Sequence, residues 1–136
     1  MNSRIQGLAF SLALALAATS AGPALAYDWS VWDAETVEVI TTDEDGGSRL
    51  TTVWIVVIDN YPYLRTASTT WGDNAEREGT LKLRGDPGEL TLRVERVLDV
   101  AEADRVAAVF REKYGTTDQM MEWFRFGDRR VFRLLE

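Results

Sequence analysis

The chain has 136 residues, with 22 acidic and 15 basic side chains and a formal net charge of −7. It contains neither cysteine nor histidine, which excludes disulfides, thiol nucleophiles, histidine-based triads and imidazole metal sites. Because an acidic protein is repelled by nucleic acid and by anionic lipid, we expect neither as a partner.

Residues 1–26 have the pattern of a cleaved secretory signal peptide. Arg4 supplies the positive start, an apolar run follows, and the triplet ALA at 24–26 fits the small-x-small motif before a cleavage site. The alternative is a membrane anchor that stays on the protein. We expect cleavage after Ala26 and export to the periplasm or the medium. One domain, residues 27–136, would remain, with no second apolar run long enough to span a membrane.

Three strands are predicted in the first half of this domain. The segment ETVEVIT (35–41) alternates apolar and polar residues, and DEDGGS (43–48) supplies the following turn. The segment RLTTVWIVVID (49–59) is apolar on both faces, which predicts a central strand covered on both sides, with Trp54 in the core. The segment YPYLRTA (61–67) returns as the third strand.

The second half is predicted to add a loop, three strands and two helices. These are the loop TTWGDNAERE (69–78), strands at 80–84 and 90–99, a helix from Asp99 to about Lys113, a short helix at 116–126, and a final strand at 128–136. Asp99 and Glu102 have the spacing of a capping box at the start of the first helix. The pattern predicts a mainly β (α+β) fold. It is a small six-stranded antiparallel barrel with one or two helices inserted before the last strand.

A run of small hydroxyl residues follows Arg65 and precedes Trp71 and Asn74. Arginine binds phosphate through two parallel hydrogen bonds, neighbouring hydroxyls add donors, and an indole can stack on a flat ring. The structural alternative pairs Arg65 with a carboxylate, uses the hydroxyls to cap a turn, and places Trp71 in the core. The residue pattern alone leaves both alternatives open.

Residues 50–115 resemble the split-barrel flavin-binding proteins related to pyridoxamine 5'-phosphate oxidase. The segments that carry the resemblance are TTVWIVVIDNYPYLRTASTTWGDNAEREGTLKLRGD, LRVERVLD and VAAVFREKYG. More narrowly, the chain is similar to a small DUF2255-like branch with a W-x-V-V strand, an R-[ST] turn, a tryptophan, and KYG after a helix. The resemblance implies a split β-barrel homodimer that holds FMN or a deazaflavin at the interface.

The resemblance also implies six cofactor-binding residues, namely Arg65, Thr66, Ser68, Trp71, Asn74 and Lys82. The first three match the phosphate contacts of the superfamily. The aromatic residue and the asparagine match the deazaflavin nitroreductase branch, and the lysine matches a later basic contact. The chain departs from its relatives at 69–78, where a longer basic loop is often found and where this segment has three acidic residues and one basic residue.

Three hypotheses of function follow. The first is an exported flavin-binding protein that could act as a reductase. The second is a non-catalytic module that binds another small ligand in the same cleft, and the third is a partner-binding dimer without a cofactor. We expect a homodimer in all three. The acidic turn at 43–47 lacks the spacing of a calcium loop, so we expect no metal. No residue stands out as a general acid or base.

Overall fold

The computed structural model describes residues 26–115 and 129–136. A short 3-10 helix (Trp29–Trp32) comes first. It is followed by β1 (Thr36–Thr42), β2 (Ser48–Ile58), β3 (Tyr61–Thr66), α1 (Thr70–Glu78), β4 (Thr80–Gly85), β5 (Gly88–Arg96), α2 (Val100–Tyr114) and β6 (Arg130–Leu135). The second predicted helix, 116–126, lies outside the described residues.

The six strands form a closed antiparallel barrel in the order β1-β2-β3-β6-β5-β4. Closure comes from β1, which pairs with β2 along one edge and with β4 along the other. Among the six described strands, closure leaves no free sheet edge to pair with another chain. The predicted six-stranded α+β barrel is therefore confirmed.

The barrel interior is filled by alternate side chains from every strand. Val39, Ile55, Leu64, Leu83 and Phe132 are fully buried there. Small barrels have a packed interior of this kind rather than an open channel. The predicted inward direction of the alternate leucines on β4 is confirmed.

A second apolar cluster lies outside the barrel, beneath α2. Val56 and Ile58 of β2 pack there with Phe110 of α2. The C-terminal half of β2 is therefore covered on both faces, as its sequence predicted. The cover ends before Leu50, whose side chain is 54% exposed.

The segment 69–78 was predicted to be a loop, and that prediction is wrong because it forms α1. Thr69 is the N-cap, and its side chain accepts a hydrogen bond from the Gly72 N–H. Gly79 ends the helix in the left-handed conformation, with φ of 70°. The hydroxyl run that resembles a turn is thus a helix cap, because threonine satisfies the free N–H groups at a helix start.

The start of α2 agrees with the sequence. The Asp99 side chain accepts a hydrogen bond from the Glu102 N–H at 3.1 Å. The Glu102 carboxylate instead binds Tyr63 and Arg133, which fixes this end of the helix to β3 and β6. Across residues 26–115 and 129–136, no helix has the length and apolar content needed to cross a membrane.

Candidate functional site

The structure places Trp71 and Asn74 on the buried face of α1. The Trp71 side chain is 5% exposed and packs edge-to-face on Phe132 inside the barrel, with ring centroids 5.9 Å apart. Asn74 is 2% exposed, and its amide donates to Thr41 Oγ1 at 3.2 Å and to Asp43 Oδ1 at 2.7 Å. These contacts match the structural alternative, in which the indole is part of the core.

Three other predicted residues make separate contacts. The Thr66 hydroxyl shares a hydrogen bond of 2.5 Å with the Thr69 hydroxyl, beside the start of α1. Ser68 is exposed in the turn between β3 and α1. Lys82 is exposed on β4 and forms an ion pair with Glu89 of β5 at 3.8 Å. The structure therefore does not gather the predicted set into one cradle.

Arg65 lies on the outer face of β3, beneath α2. Its guanidinium carbon is 5.0 Å from the centroid of the Trp54 ring and 5.2 Å from that of Phe110. Burial is the main cause that lowers the pKa of Arg65 to about 10. The side chain is still charged at neutral pH, in an environment that solvates the charge poorly.

A groove of about 310 Å³ opens beside this guanidinium. Its lining residues are Thr36, Thr52, Val53, Trp54 and Arg65; we call it the Arg65 groove. Register explains why they meet, because β1 and β2 pair Thr36 with Trp54. The groove therefore combines one cation, two hydroxyl residues and one indole, the chemistry predicted for the site, but of the predicted residues only Arg65 is among them.

A second recess of about 450 Å³ adjoins the Arg65 groove and shares Thr36 and Thr52 with it. Its far wall includes Val31, Arg84 and Pro87. Arg84 forms ion pairs with Glu38 at 3.7 Å and with Glu89 at 3.1 Å, so its charge is already balanced. The Arg65 groove adds a second cation, Arg65 itself, to this surface.

Sequence reasoning missed Thr36, Thr52 and Trp54 as lining residues. Trp54 was predicted to be core, whereas the structure leaves it half-buried with its ring lining the groove. One feature of the sequence could have indicated this surface. Thr52 and Trp54 share the face of β2 that carries the exposed Leu50, so the apolar pattern on that face is interrupted before α2 covers it.

Metal binding finds no support in the described part of the chain. No group of three or more acidic side chains in residues 26–115 and 129–136 is placed to hold an ion. Asp43 is instead bound by Arg49 at 2.8 Å and by the Asn74 amide. Hydrogen bonds from Arg49 and then Asn74 lower the pKa of Asp43.

Comparison with known proteins identifies a family and a fold. Residues 30–128 match the family described as uncharacterized protein conserved in bacteria (DUF2255). No match is found among curated proteins.

Solved structures with the same fold include three split-barrel proteins. The heme storage protein HutZ from Vibrio cholerae has a TM-score of 0.62 at 14% identity, over 76% of this chain and 82% of that one. An FAD-binding protein from Mesorhizobium loti has a TM-score of 0.55 at 13% identity, over 79% and 86%. A candidate pyridoxamine 5'-phosphate oxidase from Listeria innocua has a TM-score of 0.56 at 7% identity, over 77% and 86%. At these identities the likeness is one of fold.

Proposed function

Because the chain belongs to the DUF2255 family and has a fold found among flavin-binding proteins, we propose that it binds FMN or a deazaflavin in the Arg65 groove. One observation carries the proposal. A partly desolvated guanidinium lies over the rings of Trp54 and Phe110, in a groove that also offers two threonines. This combination suits a phosphate joined to a flat ring.

The charge of Arg65 favours an anionic ligand. Burial lowers the pKa of this side chain to about 10 because the charged form has lost part of its hydration. A phosphate beside it would replace the lost hydration, and the attraction is stronger where water is partly excluded. The Thr36 and Thr52 hydroxyls, on adjacent strands, can donate further hydrogen bonds to the same phosphate.

The dimensions of the groove suit a ligand of this size. The Arg65 groove and the adjoining recess fall within the usual range of small-molecule pockets, several hundred Å³ each. We place the phosphate at Arg65 and the ring system toward the recess, where Val31 and Pro87 supply apolar surface. When bound, the flavin would supply the hydride chemistry of a reductase, and the residues of this chain would bind and orient it.

Flavin is favoured over heme by the composition of the chain. HutZ is named as a heme storage protein, so heme is the natural rival ligand for this fold. The present chain has neither histidine nor cysteine. It therefore offers neither the imidazole nor the thiolate that most often ligates heme iron.

Homodimer formation is part of the proposal. The outer face of β2 carries the exposed Leu50 beside Thr52 and the half-buried Trp54. A second copy on this face would remove apolar surface from water and would cover the groove. Sedimentation of the purified protein should give twice the monomer mass, and a monomer would count against an interface cofactor.

A second candidate is a non-catalytic module that binds another small anionic aromatic ligand. The observation that favours it is the burial of Trp71 and Asn74. With both side chains occupied inside the barrel, the groove offers fewer contacts to a flavin ring than the family resemblance implied. In this case the Arg65 groove keeps a binding role while a flavin does not.

The experiment is a cofactor-retention assay on purified protein. The protein is mixed with FMN, FAD or a deazaflavin, desalted, and scanned for visible absorbance. Arg65→Met should abolish retention, while Arg49→Met should retain cofactor like the wild type, because Arg49 lies at the far end of β2 in an ion pair with Asp43. A colourless wild type with all three cofactors would reject flavin binding and favour the module.

Export is also part of the proposal. Cleavage after Ala26 would leave Tyr27 as the first residue, and its carbonyl accepts a hydrogen bond from the Asn60 side chain at 2.7 Å. The Trp32 indole donates to the Tyr27 hydroxyl at 3.0 Å. Mass spectrometry of protein from the periplasm should give a chain that begins at Tyr27, and an intact N-terminus would contradict export by cleavage.

A further inference from the structure

The pairing of β1 with β2 ends at the groove. Thr36 and Trp54 form the last pair of this ladder, and both line the Arg65 groove. The next residue of β2, Ile55, pairs with Leu64 of β3 on its other side. Beyond this pair, β2 and the segment that leads into β1 separate, so the backbone groups of Ile55 and Glu35 need another hydrogen-bond partner.

The Tyr114 hydroxyl lies in this gap. It accepts a hydrogen bond from the Ile55 N–H at 3.0 Å. The same oxygen is 2.8 Å from the Ile55 carbonyl and 2.7 Å from the Glu35 carbonyl, so its single proton can be donated to either one. The Tyr114 hydroxyl thus makes the hydrogen bonds that a further residue of β1 would make, and it joins both separating strands to the end of α2.

Lys113 fastens the same region from the side. Its ammonium donates to Asp33 Oδ1 at 2.6 Å, to the Ala34 carbonyl at 2.7 Å and to the Ile55 carbonyl at 2.8 Å. An ammonium has three protons, and these three contacts can use all of them. Two consecutive residues of α2 therefore hold the segment before β1 against β2.

The ring of Tyr114 connects this bridge to the groove wall. It stacks on the Trp54 ring with centroids 4.2 Å apart and an interplanar angle of 2°. Arg65 contacts the same Trp54 ring. One side chain thus sets the spacing of the strands at Thr36 and the orientation of the indole beside the guanidinium.

We propose that Tyr114 is a positioning residue of the Arg65 groove. Its hydroxyl closes the gap where β1 leaves β2, and its ring holds Trp54 in the orientation that a ligand meets. The ligand in this inference rests on the proposed function, whereas the positioning itself can be tested without any ligand. A purely structural role would loosen α2 as a whole without a specific effect at Ile55 and Trp54.

The test compares two tyrosines whose hydroxyls each join α2 to a strand of the barrel, and it uses the full protein. Tyr114→Phe removes the hydroxyl from the gap and keeps the ring. Tyr63→Phe is the matched control, since its hydroxyl donates to Glu102 at 2.9 Å near the other end of α2. Amide hydrogen exchange at Ile55 should accelerate about tenfold in the first variant, the effect of one lost hydrogen bond, and much less in the control.

A spectroscopic readout follows the indole directly. In protein labelled with fluorotryptophan, the Trp54 resonance is identified by its loss in Trp54→Phe. It should shift or broaden in Tyr114→Phe, while the Trp71 resonance, from the barrel interior, stays in place. Unchanged Ile55 exchange together with an unchanged Trp54 resonance would overturn the inference, and so would equal changes in Tyr63→Phe.

Ligand binding gives the functional readout. With FMN as the probe, Tyr114→Phe should raise the dissociation constant about tenfold and Tyr63→Phe should leave it close to the wild-type value. Equal affinity of Tyr114→Phe and the wild type would overturn the positioning role. If the wild type binds no FMN, the proposed function fails, and the exchange and fluorine readouts still decide the inference.

A second variant protects the test against misfolding. If Tyr114→Phe does not fold, Lys113→Met removes the ammonium contacts to Asp33, Ala34 and Ile55 and leaves the hydroxyl in the gap. It should accelerate exchange at Ile55 more than Tyr63→Phe does. Exchange no faster than in that control would count against a bridge at this point of the barrel.

Discussion

Arg130 and Arg65 occupy adjacent positions on paired strands, but their surroundings differ in kind. The register of β3 with β6 places Arg130 opposite Thr66 and Arg65 opposite Val131. Successive residues of a strand face opposite sides of the sheet. Arg130 therefore points toward the barrel end closed by α1, and Arg65 points outward beneath α2.

The α1 side is saturated with hydrogen bonds. Arg130 is 4% exposed, and its guanidinium donates to the Ala67 carbonyl at 2.6 and 3.1 Å and to Asp73 at 2.9 Å. On the α2 side, Arg65 lies against the faces of the Trp54 and Phe110 rings. The contacts of Arg130 are hydrogen bonds to carbonyl and carboxylate oxygens, whereas those of Arg65 include the faces of two aromatic rings. The comparison shows that neighbouring positions on paired strands place one arginine in a hydrogen-bond network and the other against aromatic rings, and the proposed binding role belongs to the second.

The largest expected effect comes from removing the hydrogen bonds of Arg130 on the α1 side. Arg130→Met should lower the free energy of unfolding by about 3 kcal/mol or more, because the Ala67 carbonyl and the start of α1 lose a buried, charged donor. Urea denaturation measures the change. Arg129→Met is the control, since that neighbouring side chain is exposed. Equal stability of the two variants would remove the distinction between the two sides.

Gly72→Ala tests the same side by crowding it. A Cβ at this position would lie 2.8 Å from both the Arg130 guanidinium and the Thr66 methyl group. We expect the free energy of unfolding to fall by about 1–3 kcal/mol, the usual effect of overpacking. Thr70→Ala, on the exposed surface of the same helical turn, should change thermal unfolding little. A Gly72→Ala protein as stable as the wild type would show that this packing can relax.

Arg65→Met sharpens the comparison from the other side. The variant loses two cation–π contacts, but it also removes the desolvation penalty of a buried charge. Because the two effects oppose each other, the free energy of unfolding should change by less than about 1 kcal/mol. Ligand retention should nevertheless be lost. Chemical denaturation and the cofactor assay measure the two quantities on the same preparation. A loss of stability as large as that of Arg130→Met would assign both arginines the same structural role.

The pH dependence of stability gives Arg65 a further signature. Because burial lowers its pKa to about 10, the folded chain binds fewer protons than the unfolded chain from about that pH up to the ordinary pKa of arginine. Stability from this group therefore rises with pH across that window. The unfolding free energy of the wild type should improve relative to Arg65→Met from about pH 10 upward, as measured by urea denaturation at several pH values. A constant difference would contradict the lowered pKa.

The smallest effect concerns the exposed edge of the saturated side. Hydrogen bonds from Arg49 and then Asn74 lower the pKa of Asp43, so its favourable contribution is present above its ordinary pKa and is lost as pH falls through the folded value. Arg49→Gln should raise the pKa of Asp43 toward its usual range, as read from a carbon NMR titration of the carboxylate. Ser48→Ala, beside it on β2, should leave that titration unchanged. An unaltered pKa in Arg49→Gln would show that Arg49 does not lower the pKa of Asp43 and that Asn74 and Arg77 do.

Most of the barrel could be predicted from the sequence because its strands carry local patterns. The alternation in β4 and the two apolar faces of β2 identify their buried sides without knowledge of any partner. Asp99 and Glu102 mark the start of α2 by their spacing alone. Arg65 was predicted as a site residue from its type and its place at a strand end, and the structure puts it beside the groove.

Helix α1 and its buried Asn74 could not be predicted in the same way. A hydroxyl run is equally compatible with a turn and with a helix cap. In the structure the Gly72 N–H donates to the Thr69 hydroxyl, and Arg130 binds the Ala67 carbonyl just before the helix. The sequence shows neither contact. Asn74 is equally suited to a ligand and to a buried network. Its partners Thr41 and Asp43 lie more than thirty residues away in sequence.

The sequence by itself determined the strands, the cap of α2, the absence of thiol and imidazole chemistry, and the presence of a cation at the end of β3. Only the tertiary structure decided what surrounds that cation. Thr36 and Trp54 meet through strand register, and Tyr114 reaches the same wall from the end of α2, fifty-nine positions from Ile55. Local periodicity indicates which face of a strand is buried, but it carries no information on which distant residues share that face.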